Sequence, residues 1–527
     1  MHDFQIPSLA RNGRPATLLQ HGACEAYLAL LSSQLYWLFP DFVQNLHAQS
    51  LYQREMGRVA VIEYLDEVSM PPRMFKSSRE LQCYLDETAD AKPTHPWRRL
   101  FILEDLPVNY VQVLGSHLRI PPSVFGAHWA DPAAPSFNHR KPFRRYSENN
   151  FVIRYPSTQP IRIDADPAIH GHTFKCDFNI DRHIQCYDPK GPIIDQPKSY
   201  HALSFWTSGA REDGSWDSVL IVDPPVGELV KSLSENVMLE VDYCSEDYAY
   251  SRLHSLDPDF HDFTILPSNP DDWDEGEQRP QYTSMFDDIV AIQQNTPSGT
   301  IGPRTCTDTA RKLAICSSLS YVRRRILTLL RLQTDPLAAK SHVNRWYYLR
   351  NFDQGVLGNW QHEVFGFIVD VKFVMGILLI ELKENLEALG LYRPGSSDEL
   401  QWERDGWLSV QDHCGKIIGI ADAFLQSYMQ FTTMQEAQAA NQNASNLAHI
   451  TNLTMLFIPL STIAAIFSMD DKFLPGKTKG WIFWVTALPV LIVTFAITTK
   501  ARAWLNQYWK MCTAKQNRIH ITSKHRA

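Results

Sequence analysis

The sequence predicts an α/β (or α+β) cytosolic domain, then long stalk helices, then a C-terminal two-helix transmembrane hairpin. Three observations carry this. Between Trp97 and Asp223, short strand-type runs alternate with helical stretches. From Thr307 onward, apolar residues recur at three- and four-residue spacing over long segments. Between Ile450 and Thr498, the runs ITNLTMLFIPLSTIAAIF and GWIFWVTALPVLIVTFAIT contain no charged residue. Each run is close to the ~20 residues that a helix needs to cross a bilayer core.

Composition bounds the rest. A chain of 527 residues exceeds one ordinary core, so more than one domain is expected. The mean hydropathy of -0.26 places most of the mass outside lipid. A net charge of -8 argues against a nucleic-acid binder. The nine cysteines show no paired framework, which predicts reduced thiols in a cytosolic setting. The N-terminal stretch MHDFQIPSLARNGRPATLLQ has no basic region leading into an apolar one, so no secretory signal is read there.

Residues 1–96 mix helical patches, such as Cys24 to Phe39, with polar connections. They carry no chemical motif and read as a variable N-terminal extension. Residues 97–300 form the α/β domain. Its strand candidates are Arg98 to Leu106, Phe151 to Tyr155, His172 to Phe178, His183 to Tyr187 and Asp217 to Asp223. The runs NYVQVLGSHL and IPPSVFGAHW follow the first of them, and the former reads as helix. An acidic, proline-rich loop over 257–288 reads as a solvated connection, with collection of divalent cations as the sharper alternative.

Residues 301–449 form the stalk. TARKLAICSSLSYVRRRILTLLRLQ is one basic helix. A second, from about Leu337 to Leu391, places Val364, Phe367, Val371, Val374, Leu378, Leu382, Leu386 and Leu389 on one face. Pro394-Gly395-Ser396-Ser397 ends it. A third starts near Asp398 and meets no proline before Pro459. It carries Trp402, Gly406, Val410, Cys414, Ile417, Ala421, Phe424, Tyr428 and Phe431 on one face and runs straight into the first span. Such a helix links the soluble domain mechanically to the membrane.

The hairpin comprises spans 450–467 and 480–498, followed by the basic tail 499–527. Trp481 and Trp484, and beyond the second span Trp504, Tyr508 and Trp509, suit interfacial belts. Lys500, Arg502, Lys510, Lys515, Arg518, Lys524 and Arg526 without an acid keep the tail cytosolic, and the even span number keeps the N-terminal part there too. The sequons at Asn443 and Asn452 would then stay unmodified. The alternative is a buried helical hairpin in a soluble protein.

Within span one, Thr454, Ser461, Ala465 and Ser468 recur at helical spacing. A pore-facing stripe and plain helix–helix packing both account for that pattern. His170, His172, Cys176, His183 and Cys186 cluster in sequence, but their spacing fits no standard zinc site and they read as strand residues. No glycine-rich phosphate loop or nucleophile elbow is present, so no enzyme and no cofactor are expected.

The run FIPLSTIAAIFSMDD resembles the end of the first membrane helix in the CorA-like magnesium and divalent cation transporter superfamily. Pro459-Leu460-Ser461 stands where the family has Pro-Leu-Ser/Thr, and Phe467-Ser468-Met469-Asp470 where it has aromatic-Gly-Met-Asn. LFILEDLPVNYVQVLGSHLRIPPSVFGAHW is similar to the N-terminal part of fungal members with a degenerate Gly-Met-Asn signature. The resemblance implies a homopentamer in the lipid bilayer, most naturally the plasma membrane with an organelle as alternative. It implies a pore with Ser468, Met469, Asp470 and Asp471 at its mouth and the stripe of Thr454, Ser461 and Ala465 along its wall. By distance from Pro459 it places the hydrophobic constriction at Leu447, Ile450 and Ile458. Mg2+ or another divalent cation would be the transported or regulatory ion, met by the carboxylates of Asp470 and Asp471.

The departures define a rival. Ser for Gly and Asp for Asn alter the signature, and the outer turn has Leu474-Pro475-Gly476 with Lys472, Lys477 and Lys479 in place of an acid. The alternative function is a non-conducting, membrane-anchored cytosolic sensor or interaction protein on the same scaffold.

Overall fold

The structure is a computed structural model. It describes residues 16–52, 57–65, 68–90, 95–132, 146–158, 161–166, 169, 171–186, 197–243, 284–295, 301–333, 358–392, 400–469, 479, 481–496 and 500. The chain divides into two compact units, Met1–Leu425 and Gln426–Ala527.

The first unit is built on a mixed sheet. Its central strands are β1 (Arg58–Leu65), β4 (Arg98–Glu104), β9 (Lys198–Thr207) and β10 (Trp216–Val222). β4 pairs antiparallel with β1 and parallel with β10, and β10 pairs antiparallel with β9. β2 (Val68–Ser69) and β3 (Arg73–Phe75) flank β1. β5 (Asn150–Thr158) runs along the other edge of β9. The sheet continues through β8 (His183–Gln185), β7 (Thr173–Cys176), β11 (Leu229–Ser232), β12 (Met238–Tyr243) and β6 (Ile161–Ile163).

Strand alternation explains the layers. In β4 and β10, Leu100, Ile102, Leu220 and Val222 face one core, while Phe101, Leu103, Val219 and Ile221 face another. Side chains two apart share a face, so a strand covered on both sides reads as one unbroken apolar run. One core is closed by α1 (Ala16–Leu35), α2 (Pro40–Tyr52), α3 (Ser78–Asp90), α4 (Val108–Leu118) and α5 (Pro122–Trp129). The other is closed by α6 (Met285–Asn295), α7 (Asp308–Gln333), α8 (Gly358–Ala388) and the start of α9 (Gln401–Phe467).

The strand candidates read from sequence fall on β4, β5, β7, β8 and β10. Residues before Trp97, read as an extension, instead supply β1–β3 and α1–α3 to this same sheet and core. Most of their buried apolar residues lie in one core with α4, α5 and the sheet, a packing that no local run of the sequence displays. The end of the acidic stretch is also ordered differently from a loop, because Met285 to Asp288 form the first turn of α6. Its residues 257–283 lie outside the described residues.

The apolar faces expected for the stalk are the buried ones. Phe367, Val371, Leu378, Leu382 and Leu386 on α8, Leu389 just past its end, and Val410, Cys414, Ile417 and Ala421 on α9 are buried, while Val374, Trp402, Phe424 and Tyr428 of the same faces are half-buried. Residues 334–357 lie outside the described residues. α8 docks on an edge strand. The Arg154 N–H donates to Asn385 Oδ1 at 3.1 Å, and Asn385 Nδ2 donates to the Arg154 carbonyl at 2.8 Å. One side chain thereby satisfies two exposed backbone groups of β5. α8 ends at Gly390 rather than at Pro394. Gly390 has φ 74, and the Leu391 N–H reaches the Leu386 carbonyl at 2.9 Å, the hydrogen-bond pattern of a left-handed helix terminus.

Candidate ion pathway

α9 is one helix from Gln401 to Phe467, with Pro459 inside it. Proline has no N–H, so the carbonyl of Met455, one turn back, loses its usual intrahelical partner. The helix contains an uncharged apolar window long enough to cross a membrane, and none of that window is buried. A shorter apolar helix, α10 (Trp481–Ala496), follows. Its described length falls below a full crossing, so one long apolar helix stands where two spans were expected. Residues 497–499 and the tail from 501 lie outside the described residues.

In the second unit each helix has a covered face and an open one. On α9, Pro459, Leu460, Ile463 and Phe467 are half-buried, whereas their neighbours in the described part of 450–469 are exposed. On α10, Ala487 is 1% exposed, and Ile482, Phe483, Leu491 and Thr494 are half-buried around it. The Phe467 and Phe483 rings meet edge-on, centroids 6.0 Å apart and planes at 86°. Trp481 and Trp484, in the first turn of α10, are each 64% exposed, as aromatic side chains at a water–lipid boundary would be.

The predicted pathway residues lie on the opposite side of α9. At about 100° per residue, Leu447, Ile450, Thr454, Ile458, Ser461, Ala465 and Ser468 fall within an arc of about 80°. All seven are exposed in the single chain. The structure thus brings the stripe and the constriction residues onto one open face.

The hydroxyls of this region bond to the helix itself. Thr454 Oγ1 donates to the Ile450 carbonyl at 2.8 Å, Ser461 Oγ to Ile458 at 3.0 Å, and Ser468 Oγ to Ala465 at 2.8 Å. Such back-bonding satisfies the proton in apolar surroundings and leaves the oxygen lone pairs facing outward. Beyond Phe467 the chain turns. The Met469 N–H reaches the Ile466 carbonyl at 3.3 Å, and the Met469 side chain is 89% exposed. Asp470 and Asp471 lie outside the described residues.

Other sequence candidates are not drawn together. Among the described residues, no group of three or more His, Cys, Asp or Glu is placed to hold a metal ion. Cys176 is buried at the end of β7, and His183 lies 3.5 Å from Asp131. His170 lies outside the described residues.

Sequence reasoning missed how α9 is anchored. Arg311 on α7 and Glu403 in the first turn of α9 are both fully buried and form an ion pair, with Asp308 also on Arg311. Burial pushes the Glu403 carboxyl up, against the pull of Arg311. An acid in the first turn also faces the positive end of the helix dipole. Nothing in the local runs TARKLA or QWERDG pairs these residues; only packing of α7 on α9 does.

An α/β domain whose last helix carries an apolar, uncharged and unburied stretch has the architecture of a membrane-associated protein. Residues 349–501 match the family described as CorA-like Mg2+ transporter protein. The match spans under a third of the chain. No curated protein matches. Among solved structures, the CorA magnesium transporter from Methanocaldococcus jannaschii is similar at TM-score 0.35 and 11% identity, covering 83% of this chain and 96% of that one. That likeness is too distant to carry detail.

Proposed function

We propose that this protein passes a divalent cation, Mg2+ first, across a membrane through an oligomeric pore. The observation that carries the reading is the open face of α9. Leu447, Ile450, Thr454, Ile458, Ser461 and Ala465 share it, and the face that meets α10 through Phe467 is the opposite one. In a ring of copies, with five as the proposed number, this face would point to the axis. Leu447, Ile450 and Ile458 would form the apolar constriction. The outward hydroxyl oxygens of Thr454 and Ser461 would meet a cation that keeps its water. Ser468, Met469, Asp470 and Asp471 would stand at the mouth, where rings of carboxylates attract cations. The match of residues 349–501 to a Mg2+ transporter family supports the ion class.

One observation favours a second reading, a membrane-anchored sensor that does not conduct. Lys472, Lys477 and Lys479 flank the two aspartates and oppose the field that a cation mouth requires.

Flux decides between them. Purified protein in liposomes holding a magnesium-sensitive dye is expected to show saturable Mg2+ influx, which Asp470→Ala reduces or reshapes. Absence of influx of Mg2+, Ni2+, Co2+ and Zn2+ from protein of verified oligomeric state would overturn the pore and favour the sensor.

A further inference from the structure

β4 and β10 are parallel neighbours, and each ends in an aspartate: Asp105 directly after β4, Asp223 directly after β10. Both are buried, yet their surroundings differ sharply. Arg182 holds Asp223 in a bidentate pair at 2.5 and 2.9 Å. The Ala202 N–H donates to it at 3.1 Å, His201 Nδ1 lies 3.1 Å away and His128 Nε2 3.2 Å away. The remaining Arg182 protons go to the carbonyls of His128, Trp129, Ala130 and Asp181. Asp223 is a fully compensated carboxylate, held well below the usual range despite its burial.

Asp105 has no such partner. No cation forms an ion pair with it among the described residues. Both hydrogen bonds from Asn179, the backbone N–H at 3.1 Å and Nδ2 at 2.7 Å, go to Oδ2. Oδ1 is buried without a hydrogen bond. The backbone at Asp105 has φ 65, a conformation that side-chain-bearing residues seldom adopt. Asn179 belongs to the turn between β7 and β8, and its carbonyl accepts from Asn45 Nδ2 of α2 at 2.6 Å and from Trp129 Nε1 of α5 at 3.2 Å. Asp105 is therefore one of the sheet's two holds on this turn, the other being Asp223 through Arg182, and two helices also grip it.

We propose that Asp105 and Asn179 form a proton-operated latch: Asp105 holds the β7–β8 turn as a neutral acid, and loss of its proton loosens that turn. An ionised carboxylate without a cation is a poor occupant of a dry site, whereas the acid keeps Oδ2 as the acceptor for Asn179 and places its proton on the unbonded Oδ1. The charged groups around it leave this balance intact. Asp223 on β10 is neutralised by Arg182 of the turn, and His201 on β9 and His128 on α5 both engage Asp223. On the turn, Lys175 and Asp181 pair with each other at 2.7 Å. Glu104, the preceding residue, is held by Arg58 on β1, which also takes Asp287 of α6. Asn45 of α2 is neutral.

Burial, with a smaller push from the neighbouring Asp223, raises the Asp105 carboxyl to about 7 against the pull of the Leu106 and Asn179 backbone N–H groups and the Asn179 side chain. The sign follows from linkage. A carboxyl freed into water titrates near 4, so between that value and about 7 opening the turn releases a proton. Opening then grows by about tenfold per pH unit across that window and levels off above it.

The test uses the full-length protein in lipid nanodiscs and hydrogen–deuterium exchange of a peptide covering residues 177–182, corrected for intrinsic exchange. In the wild type, opening is expected to rise about 50-fold over the two units from about pH 5 to about pH 7 and to flatten above that. Asp105→Asn keeps the shape and the acceptor without the charge, and its profile is expected to be flat. A flat wild-type profile, or an equal rise in Asp105→Asn, overturns the latch. Infrared difference spectroscopy of the wild type against Asp105→Asn reads the same proton and separates it from that of Glu403, whose carboxyl burial also pushes up. A buried carboxylic-acid C=O band present at about pH 6 and lost at about pH 9 supports the latch; no such band at about pH 6 overturns it.

Discussion

Phe467 on α9 and Phe483 on α10 meet edge-on at 6.0 Å, and that contact decides which side of α9 is covered within the chain. Edge-to-face aromatic pairs add about 1 kcal/mol beyond their buried area. Together with the small Ala487, they let the helices approach on the face of Pro459 and Ile463. The stripe from Leu447 to Ser468 stays exposed within the chain.

Single cysteine reporters test that division. In a background with the exposed Cys83, and also Cys244 and Cys512, which lie outside the described residues, replaced, Thr454→Cys and Ser461→Cys are expected to cross-link between copies several-fold more than Ile463→Cys. Equal cross-linking at all three positions would remove the pore face from consideration. Electrophoresis after oxidation or treatment with a short bis-maleimide gives the readout.

The Arg311–Glu403 pair predicts a stability pattern. Arg311→Met leaves the Glu403 carboxyl buried without its cation and should cost about 3–5 kcal/mol, whereas Glu403→Gln leaves Arg311 its bond to Asp308 and should cost less. The double variant Arg311→Met/Glu403→Leu should recover most of the loss, because an apolar pair of similar volume fits the same site. Thermal melts of the detergent-solubilised protein, followed by tryptophan fluorescence, measure both. Equal losses in the single and double variants would show that the pair is not what is lost.

Asp223 sets an acid limit. Its folded carboxyl lies well below its ordinary value, so the stability it contributes is fully present above about pH 4 and is lost as pH falls toward the folded value. Arg182→Met is expected to abolish this acid sensitivity at Asp223 and to destabilise by about 3–5 kcal/mol near neutrality. Melting temperature against pH for the two proteins checks the direction. An unchanged acid limb in Arg182→Met would assign it to other carboxylates.

Gly390 ends α8 with a left-handed backbone. A Cβ there would stand 2.4 Å from the Tyr146 ring, and the conformation itself costs a side-chain-bearing residue about 1–2 kcal/mol. Gly390→Ala should therefore lower stability by more than that backbone term. Gly390→Ala combined with Tyr146→Ala should relieve only the contact, leaving the backbone term visible in the melting temperature.

Much of the helical part was legible because helices bury one face at a regular period. Val371, Leu378 and Leu382 on α8, and Val410, Cys414 and Ile417 on α9, read as a core stripe and are one. β4 and β10 were legible as dense apolar runs. β1 was not, although most of RVAVIEYL is buried. The stripe at Thr454, Ser461 and Ala465 was visible as spacing, but spacing alone left pore lining and helix packing equally open.

The sequence by itself determined the order of the elements, the apolar faces of the stalk and the uncharged stretch that α9 carries. These are local properties, set by periodicity and by the cost of placing charge in an apolar surrounding. Tertiary structure decided what no local window holds. It drew residues 58–65 into the sheet beside β4, joined Arg311 to Glu403, and, among the described residues, gave Arg182 to Asp223 and no cation to Asp105. Each of these depends on residues tens to hundreds of positions apart meeting in a dry interior, where pairing, and not composition, fixes the charge a group carries.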